Sequence, residues 1–225
     1  MKRRMPASGH IPVKRALSSF TPGNCHKFPN STTFSLAMVV FSPYSIAMNT
    51  IVVFSDLHGD SMNFNTLLER YEEEDGDLLL CAGDLELEYL GSVWPLLAQK
   101  RIPFLMVRGN CDAASEFHPA TLNLPPRYRS LDFGDHTIGI THGDRDPAWE
   151  SAPFPLASQD IFITGHTHIA KLTHPKKAPW LLNPGSASRP RNSRHCSYAV
   201  ITHTGISVKK LKNGHILHKL CTTFA

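Results

Sequence analysis

Apolar residues fall in short runs along this chain, and their texture changes once, near residue 120. From residue 50, TIVVFS (50–55) is short and β-branched, which predicts a strand. MNFNTLLERYEEE (62–74) spaces its apolar positions for a helix with an acidic outer face. DLLLCAG (77–83) predicts a second strand and PFLMV (103–107) a third, with the amphipathic stretch LEYLGSVWPLLAQK (87–100) between them. Pro95 should kink or split that helix, because it lacks an N–H and clashes with the preceding turn. After 120 come the alternating runs YRSLDF, HTIGITH, DIFITG, AKLTH, YAVIT, GISVKKL and HILHKL, separated by Gly, Asn, Pro and Asp. These read as strands and hairpins, one of them turning at Asn213-Gly214. The whole predicts an α/β fold, a layered αββα sandwich with a mixed sheet and a β-rich C-terminal half.

Composition sets the domain boundary. Of 225 residues 41% are hydrophobic and 19% charged, which suits one globular domain or one plus a tail. The formal charge of +4 is uneven: residues 1–50 hold six Lys/Arg and no acidic residue, leaving 17 basic against 19 acidic groups beyond them. A body near −2 carries no nucleic-acid footprint, so no stable nucleic-acid partner is expected. Residues 1–47 read as a disordered extension, a start assigned too early with the true one at Met48, or a targeting segment ending near Ser45-Ile-Ala47. The apolar patch FSLAMVVF there is too short to span a bilayer. The expected domain is therefore 48–225. Five cysteines (25, 81, 111, 196, 221) with no C-x-x-C argue against a disulfide framework or structural zinc, and a reducing, cytoplasmic location is the expectation.

The chemistry sits where the apolar runs end. Asp56 and His58 in SDLHGD are two apart, and His166 and His168 in TGHTH repeat that spacing, so in extended chain each pair projects to one side. Asp84 follows LLLCAG, Asn110 follows FLMVRG and His142 follows TIGIT. All seven groups lie at or just past strand C-termini, where open αβ sheets bind ligands. Singly, each is an ordinary turn or surface residue. Jointly they offer oxygen and nitrogen donors for two divalent ions.

The ordered blocks SDLHGD, AGDLE, RGNCD, THGD and GHTH resemble the calcineurin-like metallophosphoesterases, over about residues 50–220. Together with LLNPGS (181–186), they resemble its small single-domain prokaryotic phosphodiesterase branch, related in fold to the metal-poor scaffold subunit of retromer. The resemblance implies that Asp56, His58 and His168 hold one metal, that Asn110, His142 and His166 hold the other, and that Asp84 bridges them. Two cations roughly 3.5 to 4 Å apart need a carboxylate between them, and a bridging water there loses its proton near neutral pH to become the nucleophile. The donor set suits manganese, iron, cobalt, nickel or zinc, with manganese favoured partly by the resemblance.

Asn110, Cys111 and His142 are the candidate catalytic groups. Many relatives carry histidine after the GN asparagine, where this chain has Cys111. An extended segment would turn Cys111 away from a metal held by Asn110, and a thiol is a poorer acid than imidazole near neutral pH. Ligand, weak acid and packed thiol all remain open. His118 is a candidate replacement acid, and Arg189, Arg191 and Arg194 are candidate phosphate contacts or a solvated basic loop. The expected substrate is a small-molecule or nucleotide-like phosphodiester, without membrane association and with homo-oligomerisation open. A phosphomonoesterase or phosphoprotein phosphatase is the alternative, weakened because GDLELE and GNCD replace the GDxVDRG and GNHE of the serine/threonine branch. A retromer-like scaffold is a third class, disfavoured because all seven ligands remain.

Overall fold

The computed structural model describes residues 48–91, 95–117 and 123–221. The expectations for residues 1–47 lie outside these, as does His118. In chain order the elements are β1 (Thr50–Phe54), α1 (Ser61–Glu73), β2 (Leu78–Cys81), α2 (Pro95–Gln99), β3 (Phe104–Met106), α3 (Ala114–Phe117), β4 (Tyr128–Phe133), β5 (His136–Thr141), β6 (Ile161–Ile163), β7 (Lys171–Thr173), β8 (Trp180–Asn183), β9 (Ser197–Thr202), β10 (Gly205–Lys210) and β11 (Ile216–Cys221). They build two mixed sheets, ordered β11-β10-β9-β1-β2-β3 and β4-β5-β6-β8-β7.

β1 sits inside the first sheet, parallel to β2 and antiparallel to β9. Its run is apolar throughout because both faces are covered. Ile51 and Val53 point into the seam between the sheets with Ile138, Ile140, Ile161 and Ile163, while Val52 and Phe54 meet Phe64, Leu67, Leu68 and Tyr71 of α1. Each fully buried Leu or Ile contributes about 1.5–3 kcal/mol to holding these layers together. α1 starts where Asp60 caps it, its carboxylate accepting the Asn63 N–H at 2.9 Å.

The expected layering is present, with two differences of detail. The stretch 87–100 divides into a single 3-10 turn at Leu87–Tyr89 and the short α2, which begins on Pro95, a residue suited to the first helical position. The outer face of the second sheet carries an irregular segment instead of an α-helix. Phe154 and Leu156 pack there against the space over Gly139, and Pro147, Pro153 and Pro155 bar a continuous helix. The β10–β11 hairpin turns through Gly214 at φ +68°. Among the described residues no helix is long and apolar enough to cross a membrane.

Candidate metal centre

The strand ends bring the chemistry together from both sheets. From the first sheet, the loop after β1 supplies Asp56 and His58, the loop after β2 supplies Asp84, and the segment after β3 supplies Asn110. From the second, His142 follows β5, and His166 and His168 follow β6. A cleft of about 370 Å³ is lined by His58, Asp84, Asn110, Cys111, His166, His168, Arg189 and Arg191. The deeper Asp56 and His142 are fully buried.

The paired residues do not converge by strand alternation. Asp56, His58, Asp84, His166 and His168 all adopt left-handed backbone, with φ of 53°, 51°, 53°, 65° and 58°. Such conformations cost a non-glycine residue about 1–3 kcal/mol and persist where surroundings over-determine them. Here the surroundings are specific. The loops after β1 and β2 prolong the parallel pairing, with the N–H groups of Asp56, His58 and Gly59 donating to the carbonyls of Gly83, Asp84 and Leu85. Asp112, buried, accepts the N–H groups of Asp84, Leu85, Glu86 and Gly109 at 2.8–3.0 Å. The NPGS loop buttresses the other side: Ser186 and Ser188 both donate their hydroxyls to the Asp56 carbonyl, and Asn183 donates to Gly165 O.

Three imidazoles are oriented by their Nδ1 atoms. His58 Nδ1 lies 2.7 Å from Glu86 Oε1, His142 Nδ1 lies 2.8 Å from Ala82 O, and His168 Nδ1 lies 2.6 Å from Arg189 O. An Nδ1 facing these acceptors carries the proton, so a neutral ring turns the Nε2 lone pair inward. The inward atoms crowd. His58 Nε2 and His168 Nε2 are 3.2 Å apart, and His168 Nε2 stands 3.2 Å from Asp56 Oδ1. His142 Nε2 stands 3.2 Å from Asp84 Oδ2. Yet Asp56 Oδ1 and His142 Nε2 are buried without hydrogen-bond partners among the described residues. Converging lone pairs and orphaned buried acceptors fit divalent cations, which would supply the missing partner. Three clusters are close enough to share an ion: Asp56, His58 and His168; Asp56, Asp84 and His142; and His58, Asp84 and Cys111.

Electrostatics agree with a site built for positive charge. Burial raises the Asp56 pKa above the ordinary carboxylate value, with His142 and His168 pulling against it. Burial also pushes on Asp84, but the adjacent His142 ring and the Cys111 amide, 2.8 Å from Oδ1, outweigh it and hold Asp84 at about 2. Burial disfavours the charged His142 ring, yet Asp84 and Asp56 raise its pKa overall.

Asn110 lines the cleft, and His166 lies in it with its ring 5.3 Å from that of His142, although His166 belongs to none of the three tight clusters. Cys111 does not turn away as an extended chain would require. Residues 110 and 111 form a bend, and Cys111 Sγ accepts from Asn110 Nδ2 at 3.2 Å inside the same cleft. Arg189 and Arg191 line the cleft, whereas Arg194 does not. Sequence reasoning missed Glu86 and Asp112. Each had a signal: Glu86 follows Asp84 by two residues as His58 follows Asp56, and Asp112 lies two beyond Asn110.

Comparison with known proteins agrees with this geometry. The calcineurin-like phosphoesterase superfamily domain matches residues 48–205. A probable metallophosphoesterase of Bacillus subtilis, YsnB, is 32% identical over 160 residues, spanning 69% of this chain and 84% of that protein. The solved structure of the phosphoesterase YfcE from E. coli shares the fold with a TM-score of 0.66 at 22% identity, covering 76% of this chain and 98% of its own. An archaeal phosphodiesterase superposes with a TM-score of 0.54 at 17% identity, over 77% of this chain and 99% of its own. With the domain match covering most of the chain, this protein belongs to the calcineurin-like phosphoesterase superfamily.

Proposed function

We propose that this chain is a phosphodiesterase whose cleft holds two divalent ions, manganese in the first instance, and that residues 48–225 are its working domain. The observation that carries the metal reading is the convergence of Asp56 Oδ1, Asp84 Oδ2 and three inward imidazole nitrogens, two of these atoms buried without partners. Asp56, His58 and His168 would hold one ion, and Asn110, His142 and His166 the other, with Asp84 between them. Divalent ions bound there would supply an activated water and positive charge for the phosphoryl oxygens. Asp84, held ionised by its surroundings, supplies the negative charge that lets two cations sit together. Asn110 and His166 line the cleft that would receive the phosphoryl group, with His142 buried beneath it. Arg189 and Arg191 add fixed positive charge at the cleft, and no described acidic group pairs with either. That charge favours an anionic small-molecule or nucleotide-like substrate.

The preference for diesters over monoesters rests on the resemblance of the motif blocks to the phosphodiesterase branch, and Cys111 bears on the leaving group. Burial and the neighbouring Asp84 carboxylate push its thiol up to about 12. Such a group donates a proton slowly near neutral pH, so leaving groups that depart without one are favoured. The likeness to a phosphodiesterase noted above is one of fold and agrees with this choice. The described cysteines are free thiols, in keeping with a cytoplasmic setting.

The test is hydrolysis by metal-reconstituted protein of matched aryl diester, aryl monoester, cyclic nucleotide and phosphopeptide. Manganese-stimulated diester turnover should exceed monoester turnover. Equal or greater monoester turnover would overturn the substrate assignment, and no turnover with any ion would favour a scaffold.

A further inference from the structure

The loops after β1 and β2 mirror one another. Each places left-handed residues two apart, Asp56 and His58 in one, Asp84 and Glu86 in the other, all with φ between 51° and 53°. Glu86 therefore stands in the second loop where His58 stands in the first. The two side chains meet across the paired loops, with Glu86 Oε1 2.7 Å from His58 Nδ1 and exposures of 18% and 6%. Glu86 keeps this backbone because its N–H is one of the four that Asp112 accepts. Without that support an isolated left-handed Glu would relax to ordinary backbone.

The contact sets His58 apart from the other two inward rings. His142 and His168 give Nδ1 to neutral backbone carbonyls, and His58 gives it to a carboxylate. A hydrogen bond to an ionised acceptor is roughly twice as strong as one to a neutral acceptor. It also polarises the ring and makes the far nitrogen a better donor to a cation. Glu86 Oε1 faces Nδ1, and Glu86 belongs to none of the three clusters of potential ligands. Its hydrogen-bonded route to an ion runs through the imidazole.

We propose that Glu86 is a positioning residue for the metal centre: through His58 Nδ1 it fixes the ring and strengthens Nε2, so that the ion shared by Asp56, His58 and His168 depends on Glu86 and the other ion does not. The inference rests on the metal reading above and adds a residue that the motif blocks do not include among the ligands.

The experiment titrates the full, metal-stripped chain with Mn2+ and follows free ion by electron paramagnetic resonance, so that the readout is binding instead of turnover. Far-UV circular dichroism confirms that each variant is folded. Glu86→Ala should weaken one of the two Mn2+ ions by about 10- to 100-fold and leave the second within about twofold, the range expected for loss of an outer partner of a metal-ligating histidine. Glu86→Gln keeps an acceptor oxygen without the charge, so its loss should be smaller than that of Glu86→Ala. In a His58→Ala background, adding Glu86→Ala should cost nothing further, because the route to the ion is already gone. Unchanged Mn2+ affinity in a folded Glu86→Ala variant, equal weakening of both ions, or the same loss in the His58→Ala background would each overturn the proposal. Wild-type chain that takes up no Mn2+ would instead overturn the metal reading itself.

Discussion

His142 Nε2 stands 3.2 Å from Asp84 Oδ2 at the seam between the two sheets, with the two side chains 0% and 2% exposed. Neither group could be left charged and unpaired at that depth, and each moves the other's pKa toward the charged form: Asp84 is held down to about 2 and His142 is raised.

Asp84→Asn follows directly. The amide keeps the size and one acceptor oxygen but removes the formal charge between two adjacent cations. Metal content should fall below two ions per chain, and kcat should drop on the order of 10²-fold or more. Elemental analysis of purified variant protein checks the first; retention of two ions would mean that Asp84 does not bridge.

A pH dependence follows from the raised His142 pKa. Its folded value lies above the ordinary 6.5, so the stability it lends the metal-free fold is fully present below that pH and is lost as pH rises through the raised value. A divalent ion needs the same nitrogen unprotonated. The gap between the Tm measured with Mn2+ and that measured with a chelator should therefore widen from about pH 6 to about pH 8. A gap that is constant or narrows would place the competing proton elsewhere.

Gly109→Ala should be far more damaging than an exposed loop substitution. A Cβ there would lie 2.1 Å from Asp84 Oδ1 and 2.5 Å from the Asp84 backbone nitrogen, atoms that cannot withdraw without breaking the contacts to Asp112 and Cys111. The expected result is a loss of stability of about 1–3 kcal/mol, typical of overpacking, together with reduced metal content. Denaturant unfolding of the metal-free protein separates the two effects, and a variant with wild-type midpoint and full metal content would contradict the geometry.

Cys111→His should retain both ions and raise monoester relative to diester turnover, because imidazole donates a proton near neutral pH where this thiol does not. The measurement is kcat/KM for matched aryl mono- and diesters alongside metal stoichiometry. Loss of one ion would identify Cys111 as a ligand, consistent with its place beside His58 and Asp84; an unmoved ratio would put substrate preference elsewhere in the cleft.

Much of this was legible because strands announce themselves by run length and polarity. β4 matches YRSLDF residue for residue, and the candidate ligands stand in the loops that follow strand C-termini. β8 was not read as a strand: Trp180–Asn183 is four residues between Pro179 and Pro184, too short to show a period. The convergence of Asp56 with His58 was anticipated, but through a wrong cause, since left-handed backbone and not pleat alternation brings them together. Cys111 was misplaced for the same reason, the chain having bent where extension was assumed. Glu86 and Asp112 reach His58 and Asp84 across 28 residues, so the spacing that marks each of them does not say which partner it meets.

Because Asp56, His58, Asp84 and Asn110 ride on one sheet while His142, His166 and His168 ride on the other, an ion held as proposed would be a rivet through the seam as well as a reagent. Its binding energy would add to the cohesion between layers, as any ligand selective for the native state must. Removing it leaves the hydrogen-bonded ladders of each sheet whole, so the first opening of a metal-stripped chain should run along the seam from the strand ends inward, and amide exchange at His166, whose N–H donates to the Asp56 carboxylate of the other sheet at 3.1 Å, should quicken before exchange within β1.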